Sequence, residues 1–177
     1  MIRKAELRDL QELKEIYNEA ILHTTATFDT ETKDDADRLR WFEEHEKDPY
    51  VILVEEMDGA VAGYASLSCY RERKAFDATV EVSIYIGPVY RGKGIGDKLM
   101  KAILAEAEGN PRIHTVVSLI TGENDRSIAL HKKHGFEYCG SLSKVGYKFD
   151  HWLDLNIYQL FFENRNEVPY VQDLENR

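Results

Sequence analysis

The chain has 177 residues, 43% hydrophobic and 31% charged, the balance expected of one folded domain with a sizeable core. No run of 18 apolar residues occurs and the first 20 residues carry five acidic side chains, so neither a helical membrane span nor a secretory leader is expected. The net charge of -9 and pI near 5.2 argue against a general nucleic-acid binder, and the two distant cysteines, Cys69 and Cys139, suggest a reducing cytoplasm rather than a disulfide framework.

Ile2–Ala5 reads as a short strand. Asp9 and Glu12 have capping-box spacing, and Leu10, Leu13, Ile16, Tyr17, Ala20 and Ile21 then recur at helical intervals. His23–Thr32 is Thr-rich and aperiodic, hence a loop. A shorter helix begins near Asp35 and carries Leu39, Trp41 and Phe42. Tyr50–Glu56 and Ala60–Leu67, separated by Asp58-Gly59, form a hairpin, and Thr79–Ile86 adds a third strand. After Gly87-Pro88 and a glycine cluster, the spacing predicts a helix over Asp97–Ala107, stopped by Gly109-Asn110-Pro111. Thr115–Ile120 is a strand. Asn124–His134 is a helix with Gly135 past its end, and Trp152–Phe161 alternates with Leu153, Leu155, Ile157 and Phe161 on one face. Residues 1–162 are expected to form the domain, and 163–177 a polar tail with an anchor at Val168–Val171. This element order is α+β, not strict βαβ winding.

The densest chemical signal is the strand from Val82 running into Arg91-Gly-Lys-Gly-Ile-Gly96 and at once into a helix. Alternate glycines leave backbone N–H groups bare, the helix N-terminus adds partial positive charge, and Arg91 and Lys93 add formal charge. Together they suit an anion such as a phosphate. A Walker loop would end in Gly-Lys-Ser/Thr, and a dinucleotide fingerprint would need G-x-G-x-x-G in a parallel unit. Neither fits. The alternative is a glycine-rich turn without a ligand.

The Arg-Gly-Lys-Gly-Ile-Gly stretch resembles the pyrophosphate loop of the GCN5-related N-acetyltransferase superfamily. Asn124, Ser127 and the Leu130–Phe136 run resemble its second cofactor motif. More narrowly, several segments occur in the order seen in the phosphinothricin acetyltransferase family, whose members include L-amino acid and methionine sulfoximine N-acetyltransferases. They are Ile16-Tyr-Asn-Glu-Ala20, Thr27-Phe28, Arg71-x-Arg-x-Ala-Phe76, Thr79-Val-Glu81, Val145-Gly-Tyr-Lys148 and Trp152-x-Asp154. The resemblance spans about residues 1–162. It implies a mixed, mostly antiparallel sheet flanked by helices, acetyl-coenzyme A as cofactor, a small amine as acceptor, and a homodimer. By it, Val82, Ser83, Ile84, Tyr85, Ile86, Arg91, Gly92, Lys93, Gly94, Ile95, Gly96, Asn124 and Ser127 would hold the cofactor.

Acetyl transfer to an amine needs a base, because an α-amine is mostly protonated near neutral pH. Glu81 sits in an apolar strand just before the loop, where burial would raise its pKa. The family's base is a Glu in this Thr-x-Glu setting. The alternative is a Glu facing solvent at a strand edge. Backbone N–H groups near Val82–Tyr85 could stabilise charge on the thioester oxygen if the strand splays from its neighbour. His131 occupies the position where many superfamily members carry Tyr, and both an acid–base and a packing role stay open. His134 reads as a partner of the helix dipole.

Arg71 and Arg73 are candidate holders of an acceptor carboxylate or phosphinate, against a solvated basic loop, and Thr27, Phe28 and Phe76 are candidate pocket walls. The family often has Tyr where this chain has Phe76. Lys148, Trp152 and Asp154, after a Val-Gly turn, belong by resemblance to the subunit contact and the closing wall of the pocket. By spacing, Trp152 and Tyr158 read as core or interface aromatics, and Cys139 as a small core residue. Neither cysteine has a neighbouring base for an acetyl-cysteine route, and the histidines form no metal motif. The leading expectation is direct acetyl transfer in a ternary complex to the α-amine of phosphinothricin, methionine sulfoximine or methionine sulfone. Two others stand beside it: the same fold acting on a polyamine, aminoglycoside or protein N-terminus, and a non-catalytic coenzyme A sensor.

Overall fold

The computed structural model describes residues 1–162; the tail from 163 and its expected anchor lie outside the described residues. The strands are β1 (Ile2–Lys4), β2 (Val51–Met57), β3 (Ala60–Cys69), β4 (Thr79–Ile86), β5 (Thr115–Thr121), β6 (Glu137–Lys148) and β7 (His151–Phe161). The helices are α1 (Leu10–His23), α2 (Asp35–Glu44), α3 (Ile95–Gly109) and α4 (Asp125–Lys133). One sheet has the order β1-β2-β3-β4-β5-β7-β6, and only β4–β5 is parallel. The expected mixed, mostly antiparallel α+β architecture is what the chain adopts.

Both faces of the central strands are buried, which explains the unbroken apolar run Val51-Ile-Leu-Val54. On one face Val51, Leu53, Ala65, Leu67, Val80 and Val82 meet Leu99, Met100 and Ile103 of α3. Each of these α3 side chains is fully buried and contributes about 1.5–3 kcal/mol. On the other face Ile52, Val54, Val61 and Tyr64 meet Leu13 and Ile16 of α1 and Phe42 of α2. β4 therefore sends its even residues to α3. Glu81, Ser83 and Tyr85 face the α1–α2 side.

Several local readings are corrected. The capping pair before α1 is one turn earlier: the Asp9 carboxylate accepts from the Glu6 N–H at 2.8 Å, because a short 3₁₀ turn precedes the helix. Glu12 instead accepts from the Val61 N–H at 2.6 Å and ties α1 to β3. β6 was not expected. It is an edge strand, almost wholly exposed and broken in register at Tyr138/Gly140 and Leu142/Gly146, so no alternation marks it. Val145-Gly146 lies inside β6 and is not a turn. The turn is Phe149-Asp150, with φ of 50° and 61°, as a two-residue hairpin needs. Cys139 is exposed on β6, not in the core. Tyr158 is a core residue, but Trp152 is 58% exposed. In β7 the α3-side core is reached by Tyr158 and Leu160, on the face opposite Leu153 and Leu155.

Candidate active site

The β4–β5 ladder has three rungs and stops at Glu81–Val117. Beyond it the two strands part, as the sequence reading required of an oxyanion site. From Val82 to Ile86 the β4 edge facing β5 has no ladder partner. A cavity of about 380 Å³ fills the gap. Its walls include Val82–Ile86 of β4, Ser118–Ile120 of β5, the loop residues Arg91, Gly92 and Gly94, Ile95 and Gly96 of α3, and Asn124, Ser127 and His131 around α4. Thirteen positions were assigned to the cofactor from sequence. All but Lys93 line this space; Lys93 is exposed, with its Nζ 5.3 Å from the Tyr90 ring centre.

At the loop end, Gly92 and Gly94 have φ of 78° and 76°, the left-handed region that glycine enters without penalty. Gly94 caps α3, and a Cβ there or at Gly92 would meet nothing within 4 Å. The first-turn N–H groups of α3 thus face open space with no intrahelical acceptor. Arg91 is less free than its motif suggests: it pairs with Glu19 of α1 and its Nε donates to the Ile86 carbonyl at 3.2 Å. Opposite, the Asn124 side chain accepts from the Ser127 N–H at 3.2 Å and caps α4. α4 ends in a paired-bond motif, with Phe136 N–H to the His131 carbonyl and Gly135 N–H to the Lys132 carbonyl, each 3.1 Å. Asp97 holds α3 to α4 through Lys133 at 2.6 Å and His134 at 2.8 Å. That is where the expected helix-end histidine is engaged.

Glu81 stands at the last rung. Its Cα partners are Ser68 on β3 and Val117 on β5. No hydrogen bond or ion pair reaches its carboxyl among the described residues, and burial alone pushes its pKa up to about 7. The solvent-facing alternative is therefore not what the fold makes of it. Beside it, Ser68 Oγ lies 2.8 Å from His45 Nε2, and His45 Nδ1 lies 2.6 Å from the Trp41 carbonyl.

His131 is 3% exposed. Its Nδ1 is 2.7 Å from the Ser127 carbonyl, a contact that needs the proton on Nδ1. Nε2 is buried without a partner on the cavity wall. Burial lowers the ring's pKa below the usual histidine value, so at neutral pH Nε2 is a lone-pair acceptor and not an acid. The ring also packs edge-on against Phe136, with centroids 4.9 Å apart. The structure thus joins the packing role to an acceptor role.

On the α1–α2 side a second cavity, about 530 Å³, is walled by Tyr17, Thr27, Phe28, Glu81, Tyr85 and Leu142 among others. Thr27 is buried and its Oγ1 is 3.1 Å from the Tyr17 hydroxyl. Lys148 Nζ donates to the Thr27 carbonyl at 2.9 Å and pins this loop to β6; burial lowers the lysine's pKa. Arg71, Arg73 and Phe76 line neither cavity. Both arginines are exposed in the β3–β4 connection, two and four residues past Cys69, at the strand ends that carry Ser68 and Glu81. Sequence reasoning missed Arg126 in the first cavity, and Arg38, 6% exposed beside the second. Arg38 had a signal: it precedes Trp41 and Phe42 by three and four residues, on the buried face of α2.

The family profile described as Acetyltransferase (GNAT) family matches residues 10–136. The L-methionine sulfoximine/L-methionine sulfone acetyltransferase of Salmonella typhimurium is 41% identical over 159 residues, 90% of this chain and 92% of that protein. Among solved structures, an acetyltransferase of Salmonella typhimurium with its cofactor acetyl-CoA superposes with a TM-score of 0.90 at 39% identity, covering 94% and 96% of the two chains. A phosphinothricin acetyltransferase of Sinorhizobium meliloti in complex with AcCoA gives a TM-score of 0.85 at 31% identity, covering 96% of each. A profile match over most of the chain, and relatives this similar along nearly their whole length, have one reading: the chain belongs to the GNAT acetyltransferase family.

Proposed function

We propose that this protein transfers acetyl from acetyl-coenzyme A to the α-amine of a small amino-acid-like acceptor, of the methionine sulfone, methionine sulfoximine or phosphinothricin type, in a ternary complex. The observation that carries the reading is Glu81: an unpartnered, largely buried carboxyl with a pKa near 7, at the mouth of a strand splay. The first cavity suits the cofactor. Its glycine-lined helix start offers bare N–H groups to a pyrophosphate, and the space at Gly92 and Gly94 lets that group approach the backbone.

Bound there, acetyl-coenzyme A supplies an activated acetyl thioester. The chain's own groups do the rest. Glu81 takes the proton from the α-ammonium, directly or through water, because its pKa matches the working pH. The free β4 edge at Val82–Tyr85 directs backbone N–H donors at the thioester oxygen, where negative charge grows. The attacking nitrogen's surplus proton passes, directly or through water, to the departing thiolate, and His131 Nε2, an acceptor, holds the resulting thiol by its S–H rather than delivering the proton. Arg71 and Arg73, at the Glu81 end of the strands, take the acceptor's carboxylate, while Thr27 and Phe28 wall its pocket and Phe76 supports the Arg loop by edge contact with Tyr70.

The transferase unit is residues 1–162. A second copy covers the exposed face of β6 and β7, where Tyr138, Leu142, Val145, Tyr147 and Trp152 are each at least half exposed. Because Leu142 and Val145 also wall the acceptor cavity, dimerisation would complete that wall. Two exposed free thiols are consistent with a reducing cytoplasm, and no helix among the described residues is long and apolar enough to cross a membrane.

The test is thiol release from acetyl-coenzyme A with a panel of amines: methionine sulfone, methionine sulfoximine, phosphinothricin, common amino acids, spermidine and an aminoglycoside. Release with the amino-acid analogues supports the reading. Release with polycations alone would redirect the acceptor class, and cofactor binding without release would favour the sensor.

A further inference from the structure

Arg38 is a buried cation whose in-plane donors are incompletely met. α2 turns it inward to 6% exposure. Its guanidinium carbon lies 4.0 Å from the Trp41 ring centre and 4.9 Å from that of Tyr17, and the group lies against the Tyr64 hydroxyl. Aromatic rings satisfy the flat faces of a guanidinium. The N–H donors lie in its plane, and there Nε has no partner. Asp29, an acid on the same wall, feels the Arg38 charge, but its carboxylate is engaged by Lys33 at 2.8 Å and by the Tyr17 hydroxyl at 2.9 Å, and no direct ion pair reaches Arg38 among the described residues. A buried charge left this way is costly unless a ligand completes it.

The space for that ligand is present. A cavity of about 260 Å³ opens at Arg38, walled also by Trp41, Tyr64, Ser66 and Ser83. It shares Tyr17, Asp29, Ser83 and Tyr85 with the cavity that holds Glu81. Glu81, Ser83 and Tyr85 lie on one face of β4. The Arg38 cavity starts at Ser68, opposite Glu81, and runs along that face to Tyr64, which Arg38 lies against. Tyr64 is opposite Tyr85, four residues and about 13 Å along the strand from the base. An amino acid with its α-amine at Glu81 keeps its carboxylate within roughly one residue's length of that point. Only its side chain extends toward Arg38.

We propose that Arg38 is a specificity-determining residue, which receives in the plane of its guanidinium the paired oxygens, or oxygen and nitrogen, of a tetrahedral sulfur or phosphorus on the acceptor's side chain. A two-pronged donor matches two acceptor atoms on one centre, and a thioether offers no such pair. The inference rests on the α-amine acetyltransferase reading above and deepens it.

Methionine sulfone and methionine differ only in the two sulfur oxygens, so their ratio isolates the contact. With acetyl-coenzyme A saturating, wild type should favour the sulfone in kcat/KM by about 100-fold or more, as sites built to hydrogen-bond a group reject its absence. Arg38→Met should bring the ratio to within a few-fold by losing the sulfone while methionine changes by less than about threefold. Arg38→Lys, which keeps charge but not the fork, should fall between. A ratio unchanged in Arg38→Met would overturn the proposal. So would equal loss of both acceptors in a variant that melts normally, which would assign Arg38 to the α-carboxylate. Calorimetric binding of the two amino acids to the coenzyme A complex reads the same ratio without turnover. Sulfone-selective, Arg38-dependent binding without acetylation would sink the transferase reading and leave this one standing. Equal binding of both by wild type would overturn it even if Arg38→Met fails to fold.

Discussion

Replacing Glu81 by Gln should make the protein more stable at alkaline pH while removing its activity. In the folded chain burial raises the carboxyl's pKa from 4.5 to about 7, with no partner to offset it. Below about pH 4.5 the group is neutral whether the chain is folded or unfolded, and it costs nothing. Between about 4.5 and 7 the unfolded chain ionises and the folded one does not, so wild type loses stability at about 1.4 kcal/mol per pH unit. The sum is roughly 3 kcal/mol, complete above about pH 7. The amide in Glu81→Gln never ionises. Urea titrations at about pH 4 and pH 8 should therefore give nearly equal stabilities at the lower pH, and a variant ahead by up to about 3 kcal/mol at the higher. In melting temperature that is roughly 6–12 °C for a chain of this size. Turnover should fall by at least about 100-fold above about pH 7, where wild-type Glu81 is ionised, and by less as the pH drops and wild type itself loses its base. A variant with no advantage at pH 8, or the same advantage at both, would refute the claim that Glu81 is buried without a partner.

Gly94→Ala has room for its methyl but holds φ at 76°, so it should cost about 1 kcal/mol of backbone strain at the α3 cap and weaken acetyl-coenzyme A binding by calorimetry. At Gly146 the obstacle is packing: a Cβ there would overlap the Phe28 ring, so Gly146→Ala should expel Phe28 and raise KM for the acceptor while KM for the cofactor holds. Tyr147→Glu with Trp152→Glu should convert the proposed dimer to monomers in analytical ultracentrifugation and also raise the acceptor KM, because the β6–β7 face borders that cavity. An unchanged sedimentation profile would discard the β6–β7 face as the contact.

The route from β4 through the glycine loop into α3 was legible because its chemistry is local. Three glycines, a helix start and an acidic residue in an apolar strand are adjacent in the chain, and the fold keeps them adjacent. Asn124 and Ser127 were legible through the resemblance, and the structure makes them a helix cap and the N–H it holds. β6 was not, since an exposed edge strand with two register breaks has no periodic face to reveal it. Arg38 was hidden by its company. Among Asp35, Asp37 and Arg40 it reads as one more solvated charge, and only its interval to Trp41 and Phe42 betrays burial. The Arg71–Arg73 loop stood out in sequence and remains the proposed holder of the carboxylate, though both side chains are exposed; the buried guanidinium, on α2, went unread. Charge density along a chain says nothing of which charge the sheet and helices enclose.

The most direct test of the mechanism is the pH dependence of kcat for methionine sulfone with both substrates saturating, which reports ionisations in the complex and not those of the free amine. Glu81 must be ionised to act; burial sets that step near 7 in the free protein, and the acceptor's ammonium beside it lowers it in the complex. His131 is already neutral above its lowered pKa and adds no fall on the alkaline side. The account predicts a single rise through an apparent pKa at or below about 7 to a plateau, with no such rise in the residual rate of Glu81→Gln. A rate that declines above neutrality, or a wild-type rise that survives in Glu81→Gln, would contradict it.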